Sequence, residues 1–293
     1  MEAIKITNLT KSYGKSRGIK NINLKIKEGE IYGFIGPNGA GKSTTIKTLL
    51  NFIFPTSGSA KILGKDILSE SKLIKEFTSY VPSEVRYYSD VKVKDILNYA
   101  ASFFDYYDDQ YLNELCSELE VELDKKIEEL SLGNKKKVAI VQALLSNPKI
   151  VILDEPTNGL DPLIQQKLFN ILLKEKAKGK TIFLSSHNLS EIEKFCDRVA
   201  VIKEGEIIDI LDLNKMNRDL GKRIILRSND INIKEIEKIS ESFKYIDEEI
   251  EFIYKGNINE LISLLSKYNL DKLLIEDVKL EEAFLNYYEG ENK

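Results

Sequence analysis

The chain has 293 residues, which is long for one domain and sufficient for two. Hydrophobic residues make up 42% of the sequence and charged residues 31%, so the composition excludes a disordered protein. The net charge is −4 and the only run of three basic residues is Lys135–Lys137, so no nucleic-acid partner is expected.

The cysteine content and the apolar runs indicate a cellular location. Cys116 and Cys196, the two cysteines, lie far apart without metal-ligand spacing, which fits a reducing cytosol. The opening EAIKITNL lacks the basic and apolar regions of a signal peptide. No apolar run approaches the roughly 18 residues that a membrane-spanning helix needs. We therefore expect a cytoplasmic chain that is soluble by itself.

The first part of the chain predicts two kinds of strand. Residues 1–30 alternate apolar and polar side chains, which is typical of antiparallel strands. IYGFIG (31–36) is a continuous apolar strand of the buried, parallel type. STTIKTLLNFIF (43–54) predicts a helix that ends at Pro55, and GSAKILGKDI (58–67) predicts two short strands.

From about 92 to 130 the apolar residues recur at helical spacing. The elements that follow alternate: helix 131–146, strand KIVILDE, helix 162–178, strand TIFLSS, helix 188–196 and strand RVAVIKEGEI. This alternation predicts an α/β fold with a mostly parallel sheet. Residues 213–222 predict a linker. The βαββαβα pattern over 223–293 suits a small C-terminal α+β unit of the ferredoxin-like type.

GPNGAGKST follows the buried strand and opens the helix, with the spacing of a phosphate-binding loop (P-loop). Its glycines let backbone N–H groups face a triphosphate, and the helix N-terminus adds positive potential. Lys42 would neutralise the outer phosphates, and the Ser43 hydroxyl would bind Mg²⁺. A chance glycine-rich turn is the alternative, against which the strand–loop–helix context argues. The predicted nucleotide-binding residues are Gly36, Pro37, Asn38, Gly39, Ala40, Gly41, Lys42, Ser43 and Thr44.

IVILDEP places Asp154 at the tip of a buried strand, where its carboxylate would hold Mg²⁺ through water, opposite the phosphate loop. Glu155 points elsewhere and can polarise the attacking water. The alternative is a carboxylate that only caps the next helix.

Two further polar positions have an ordinary structural explanation beside a functional one. In LSLGN, Ser131 can cap a helix whose N-terminus needs an anion, and Gly133 leaves room for a phosphate. A plain helix cap is the alternative. His187, the only histidine, follows the apolar run TIFL, and a polar cap at the end of a buried strand would explain a lone histidine there.

GPNGAGKST, LSLGN, VILDEPTNGLDP and SSH, in this order, resemble the ATP-binding subunits of ABC transporters, which are P-loop NTPases. The resemblance covers residues 1 to about 212. It is strongest to the drug- and peptide-exporting branch of bacitracin, lantibiotic and daunorubicin resistance ATPases, because of the Ser-Leu-Gly signature, the NGLDP turn and a C-terminal extension ending LEEAFL. The implied cassette, 1–212, has a mostly parallel sheet core, an antiparallel β subdomain and a helical subdomain at about 84–146.

The resemblance also implies roles for single residues. Tyr13 in KSYG matches the aromatic residue that stacks on adenine, although packing would explain an isolated tyrosine in a strand. Asp161 in NGLD matches the residue that crosses the seam between two cassettes. His187 matches the switch histidine that contacts the γ-phosphate and orients the water. Glu155 and His187 are thus the implied catalytic residues, and ATP with Mg²⁺ the implied cofactors.

The chain departs from the family pattern in two motifs. The serine and the second glycine of the commonest signature sequence are kept. Three other positions differ from it: Leu132, Asn134 and Lys137. In SYVPSE, the Mg²⁺-sensing glutamine is replaced by Ser83, with Glu84 beside it. We expect Ser83 to reach Mg²⁺ through a water, because a further carboxylate would repel Asp154, Glu155 and the triphosphate. An inward-turned Glu84 is the alternative.

The resemblance implies an ATPase motor that dimerises head to tail around two ATP molecules, with a second copy of itself or with a paralogue. Each ATP would lie between the P-loop of one chain and the Ser131–Gly133 loop of the other. The dimer would drive a separately encoded integral membrane permease from the inner face of the cell membrane, exporting a drug, peptide or similar compound. Two alternatives stay open: a non-transport ABC ATPase of DNA repair or ribosome work, and a regulatory ATP-binding module.

Overall fold

Alternating apolar residues at the start of the chain form an antiparallel pair, β1 (Glu2–Tyr13) and β2 (Ser16–Lys27), as predicted. The computed structural model describes residues 1–14, 16–104, 108–219, 221–246 and 248–278. It divides the chain into two compact units, of which the first is Met1–Leu211 and the second begins at Asp212.

The predicted strands and helices of the first unit are present, and α2 and β6 come in addition to them. The further strands are β3 (Ile31–Ile35), β4 (Ser57–Ile62), β5 (Lys65–Asp66), β6 (Thr78–Val81), β7 (Ile150–Asp154), β8 (Thr181–Ser186), β9 (Arg198–Lys203) and β10 (Glu206–Asp212). The helices are α1 (Lys42–Leu49), α2 (Ser71–Phe77), α3 (Val93–Ala101), α4 (Asp109–Glu118), α5 (Leu132–Leu145), α6 (Pro162–Ala177) and α7 (Leu189–Phe195), with a 3-10 turn at Ile127–Glu129.

The strands of the first unit form two sheets. One has the order β2-β1-β4-β5 and is antiparallel. The other has the order β10-β9-β3-β8-β7-β6, in which the strands from β9 to β6 run parallel. Every residue of β3 and β7 is buried, which explains their continuous apolar sequences. Parallel strands end at one edge of a sheet, so β3, β7 and β8 bring the residues that follow them together there.

Helix α1 is shorter than predicted, because it ends at Leu49 instead of reaching Pro55. Asn51 has a φ of 55°, in the left-handed region. The backbone N–H of Asn51 donates to the carbonyl of Thr48, and that of Phe52 donates to the carbonyl of Lys47. These two hydrogen bonds form a Schellman motif, which satisfies the last carbonyls of a helix and terminates it.

The second unit contains a sheet with the order β12-β13-β11-β14, and all its pairings are antiparallel. Its elements are α8 (Leu213–Asp219), β11 (Lys222–Ser228), α9 (Ile233–Ile239), β12 (Ser242–Ile246), β13 (Glu249–Tyr254), α10 (Ile258–Leu265) and β14 (Leu270–Asp277). Helix α8 lies where the sequence predicts a linker. The βαββαβ order agrees with the prediction, and the last predicted helix, LEEAFLNYY, lies outside the described residues.

Each unit has a hydrophobic core of its own. Ile4, Phe34 and Ile152 belong to the core of the first unit, and Ile224 and Phe252 to that of the second. Within the described part of the chain, no helix combines the length and the apolar character that a membrane span requires.

We predict that a fragment ending near residue 215 folds without the second unit, because the core of the first unit is built from its own strands and helices. The fragment should unfold cooperatively, with a Tm within about 5 °C of the corresponding transition in the full chain. Thermal unfolding followed by circular dichroism measures this. An insoluble or unfolded fragment would show that the two units depend on one core.

Candidate active site

The P-loop lies between the end of β3 at Ile35 and the start of α1. Gly41, the N-cap of α1, has a φ of 111°, where any side chain would be strained. A Cβ there would also lie 2.7 Å from Cγ2 of Ile19. Lys42 and Ser43 are the first two residues of the helix, so their N–H groups have no intrahelical acceptor and can bind an anion.

A cavity of about 580 Å³ opens over this loop. Its lining residues are Arg17, Gly18, Asn38, Gly39, Gly41, Lys42, Ser43, Thr44, Ser83, Glu84, Glu155 and Asn158. Arg17, Gly18 and Asn158 were not predicted, since nothing in their residue types or spacing marks them as ligand-binding. The other predicted site residues lie outside this lining: Tyr13, Gly36, Pro37, Ala40, Ser131, Gly133, Asp154, Asp161 and His187.

The side chain of Glu155 is held from two sides. Nζ of Lys42 lies 3.0 Å from Oε1 of Glu155, and the two buried side chains form an ion pair. Nδ1 of His187 lies 2.7 Å from Oε2. An ionised carboxylate only accepts hydrogen bonds, so the tautomer of His187 that fits this contact is the one with the proton on Nδ1. Glu155 is 6% exposed, and Lys42 also donates to the carbonyl of Gly36 at 2.6 Å.

Asp154 is fully buried and has one oxygen available to a ligand. Its Oδ1 accepts a hydrogen bond of 2.6 Å from the Ser185 hydroxyl, while no described residue donates to its Oδ2. A buried carboxylate oxygen without a partner is rare, so Oδ2 fits a ligand such as a water held by Mg²⁺. The Ser43 hydroxyl is the second oxygen that suits the cation, because Ser43 lines the cavity.

The backbone of Glu155 adopts a conformation that is unusual outside glycine. Its φ is 50°, and such a left-handed conformation costs on the order of 1–3 kcal/mol. Its N–H donates to the side chain and the carbonyl of Ser185, at 3.0 and 3.2 Å. The same serine therefore fixes both the carboxylate of Asp154 and the backbone of Glu155.

The Ser131–Gly133 loop packs against another loop of its own chain. Ser131 caps α5, because its hydroxyl accepts from the N–H of Asn134 at 3.2 Å. A Cβ on Gly133 would lie 2.1 Å from the carbonyl oxygen of Gly159, so this glycine has a packing reason in addition to the predicted one. Leu132, between them, is 78% exposed.

Asp161 and Tyr13 have local contacts of an ordinary kind. Oδ1 of Asp161 accepts from the N–H of Ile164 at 3.0 Å and caps α6, whose first residue is Pro162. Tyr13 lies at the end of β1 and is 44% exposed, with the Lys11 ammonium 5.3 Å from the ring centroid.

Ser83 and Glu84 both line the cavity, and the carboxylate of Glu84 also contacts a neighbouring side chain. Oε2 of Glu84 lies 3.0 Å from Nη2 of Arg86, and both of these side chains are largely exposed. A surface pair of this kind is weak, typically worth ~0–1 kcal/mol, yet it occupies the carboxylate.

Lys136 is a site residue that the sequence did not reveal. It is 3% exposed, and its Nζ lies 2.7 Å from the carbonyl oxygen of Ser83, 2.8 Å from that of Pro82 and 3.3 Å from that of Glu155. Burial lowers the pKa of Lys136 to about 8, although the Asp154 and Glu155 carboxylates act in the opposite direction. Lys136 is the middle residue of a run of three lysines, and the sequence does not show which of the three is buried beside Glu155.

Comparison with known proteins adds to this geometry. Residues 19–158 match the ABC transporter family. The bacitracin transport ATP-binding protein BcrA of Bacillus licheniformis is 33% identical to this chain, over 98% of the chain and 97% of that protein. The chain belongs to the ABC transporter ATP-binding proteins.

Two further ABC proteins show how far the similarity extends. The lantibiotic transport ATP-binding protein SrtF of Streptococcus pyogenes is 38% identical over 70% of this chain and 89% of that protein. The dimeric structure of MJ0796, a bacterial ABC transporter cassette, matches with a TM-score of 0.65 and 28% identity, covering 72% of this chain and 98% of that one. This ABC ATPase therefore has the P-loop cassette fold, with the antiparallel sheet of its second unit in addition, and it binds and hydrolyses ATP.

We predict that Gly133→Ala destabilises this ABC ATPase by about 1–3 kcal/mol, because the added methyl group overpacks against the Gly159 carbonyl. Alanine is the better helix former, so any loss of stability comes from the contact and not from the helix. Denaturant unfolding measures the change. Asn134→Ala, at the next position of the same helix, is the control and should change stability by less than ~0.5 kcal/mol. Equal stability of Gly133→Ala and the wild type would contradict the packing.

Proposed function

We propose that this ABC ATPase is the motor subunit of an exporter for a drug, peptide or similar compound, acting with a separately encoded membrane permease at the inner face of the cell membrane. The similarity to BcrA supports this, because it covers 98% of the chain and so includes the second unit. BcrA is named as a bacitracin transport protein and SrtF as a lantibiotic transport protein. These compounds are the cargo of those two proteins.

We infer that two cassettes act as a head-to-tail dimer, formed with a second copy or with a paralogue. The observation that carries this is the surface position of the Ser131–Gly133 loop: apolar Leu132 is largely exposed, and none of the three residues lines the P-loop cavity of its own chain. In the dimer the Ser131–Gly133 loop of one chain covers the cavity of the other, and Asp161 lies at the seam. The exposed side chain of Leu132 is then covered as well.

The residues around the cavity suit hydrolysis of ATP. Lys42 and the N-terminus of α1 bind the outer phosphates, and Tyr13 stacks on the adenine. Ser43 and Asp154 would hold Mg²⁺, and Ser83 would act on it through a water. Bound Mg²⁺ supplies positive charge to the phosphate oxygens.

Glu155 accepts the proton of the attacking water, and His187 holds the Glu155 carboxylate in place and contacts the γ-phosphate. An incoming triphosphate competes with Glu155 for the Lys42 ammonium. Binding of ATP thereby frees Oε1 of Glu155 for the water, so nucleotide binding prepares the base.

We propose the domain division 1–212 for the cassette, 213–222 for the connection and 223–293 for an accessory unit of the ferredoxin-like type. The βαββαβ order of the second unit and its antiparallel sheet, β14-β11-β13-β12, support the ferredoxin-like assignment. Its proposed role is in dimer stability, regulation or contact with the permease.

Glu155→Gln should keep ATP binding and abolish turnover, because the amide fills the site but cannot take up a proton. Phosphate release measures turnover, and size-exclusion chromatography with and without ATP measures association. We expect the variant to accumulate as a dimer only with ATP. Glu128→Gln, a change of the same kind in the exposed 3-10 turn, is the control and should keep wild-type turnover. A Glu155→Gln protein that stays monomeric with ATP would contradict the proposed dimer.

The assignment of Ser83 has its own test. Glu84→Ala should change the Mg²⁺ dependence of hydrolysis by less than about twofold, since Glu84 pairs with Arg86 at the surface. Ser83→Gln should be tolerated or mildly activating, because its longer side chain carries an oxygen ligand of the kind that Mg²⁺ prefers. Titration of the ATPase rate with Mg²⁺ measures both. If Glu84→Ala raises the Mg²⁺ requirement about tenfold while Ser83→Ala is silent, Glu84 is the ligand.

A further inference from the structure

The buried ammonium of Lys136 connects three segments of the cassette. Lys136 itself lies in α5, two of its acceptors are the carbonyls of Pro82 and Ser83 after β6, and the third is the carbonyl of Glu155 after β7. These segments are far apart in the sequence, so the contact exists only in the folded chain.

The number of donors on this side chain matches the number of acceptors around it. A lysine ammonium has three N–H donors and no acceptor, and three carbonyl oxygens lie within 3.3 Å of Nζ. A buried charge is costly unless hydrogen bonds satisfy it, and here each N–H has an acceptor. The arrangement therefore fixes the spacing of the two loops and not only the position of the lysine.

A second contact holds the same helix face against the loop that follows Glu155. Gly133 lies three residues before Lys136, on the same side of α5, and its missing Cβ accommodates the Gly159 carbonyl. The first two turns of α5 thus contact both ends of the 155–159 loop: Lys136 contacts Glu155, and Gly133 contacts Gly159. Lys136 adds the contact to Ser83.

We propose that Lys136 is a positioning residue for ATP hydrolysis, which holds the backbone of Glu155 at a fixed distance from that of Ser83. The inference rests on the proposed role of Glu155 as the base. Lys136 reaches the reaction only through these carbonyls. Its loss displaces the Glu155 carboxylate relative to the bound nucleotide, whereas ATP binding depends on the P-loop and stays intact.

Lys136→Met in the full chain removes the ammonium and keeps the length of the side chain. We expect kcat for ATP hydrolysis to fall roughly 10- to 100-fold, as for a small displacement of a catalytic group, while KM for ATP changes less than about twofold. Lys136→Gln keeps two N–H donors and should recover part of the lost turnover. A folded Lys136→Met protein with wild-type kcat would overturn the proposal.

Lys137→Met is the matched control. Lys137 is the next residue of α5, is 8% exposed and donates to one carbonyl, that of Glu120, at 3.0 Å. This variant should keep kcat within about twofold of the wild type. Equal losses of kcat in the Lys136→Met and Lys137→Met proteins would show that removal of any buried lysine has this effect, and would overturn the proposal.

Hydrogen exchange in the absence of ATP separates this inference from the proposed function. Peptides from 82–86 and 155–160 should exchange at least about threefold faster in Lys136→Met than in the wild type, and peptides from 1–30 should not change. A wild type without turnover would contradict the role of Glu155 and leave the exchange measurement valid. Unchanged exchange in both loops would overturn the role of Lys136. If Lys136→Met does not fold, Lys136→Gln takes its place in both measurements.

Discussion

Four charged groups are buried together where β7 ends and α1 begins, and the active site depends on their balance. Lys42, Lys136 and Glu155 are each less than a tenth exposed, and Asp154 is fully buried. An isolated charge in such a place would be strongly destabilising, but two ammonium groups here offset two carboxylates. The Lys42–Glu155 ion pair and the carbonyls around Lys136 keep these charges in fixed positions. In the proposed site a bound triphosphate would add negative charge beside Lys42 and so act directly on the ion pair that holds Glu155.

The parts of the site that are local in sequence are the parts that the sequence predicts. The P-loop needs a strand, a glycine-rich turn and a helix in succession, and the residues from Gly36 to Thr44 fit this. Asp154 ends a strand whose apolar residues reveal it, and Glu155 follows directly. Lys136 could not be found this way, because its role depends on which face of α5 covers the 155–159 loop. Helical spacing places Gly133 and Lys136 on one face but does not identify the loop that packs there.

The fold shows the same division between local signals and tertiary contacts. In β13 of the second unit, buried residues alternate with partly buried ones, a local pattern of the kind that makes a strand readable from sequence. Helix α2 runs directly into β6 without a glycine or proline between them, so no boundary residue marks either element. The end of α1 depends on the left-handed conformation of Asn51, which is not evident from an asparagine within an apolar run. Strand β6 matters for the site because it leads into Pro82 and Ser83.

The contacts of α5 have a consequence for the proposed dimer. There the Ser131–Gly133 loop of one chain lies on the ATP of the other, while the helix that this loop begins holds the Glu155 backbone of its own chain through Lys136. Gly133 packs on Gly159, in the same loop as Glu155, so a displacement of the Ser131–Gly133 loop acts on that segment through this contact. A change at one ATP can thus reach the base at the other ATP through residues 131–136 and 155–159 alone. In the proposed dimer, this path between the two ATP sites consists of residues of the first unit.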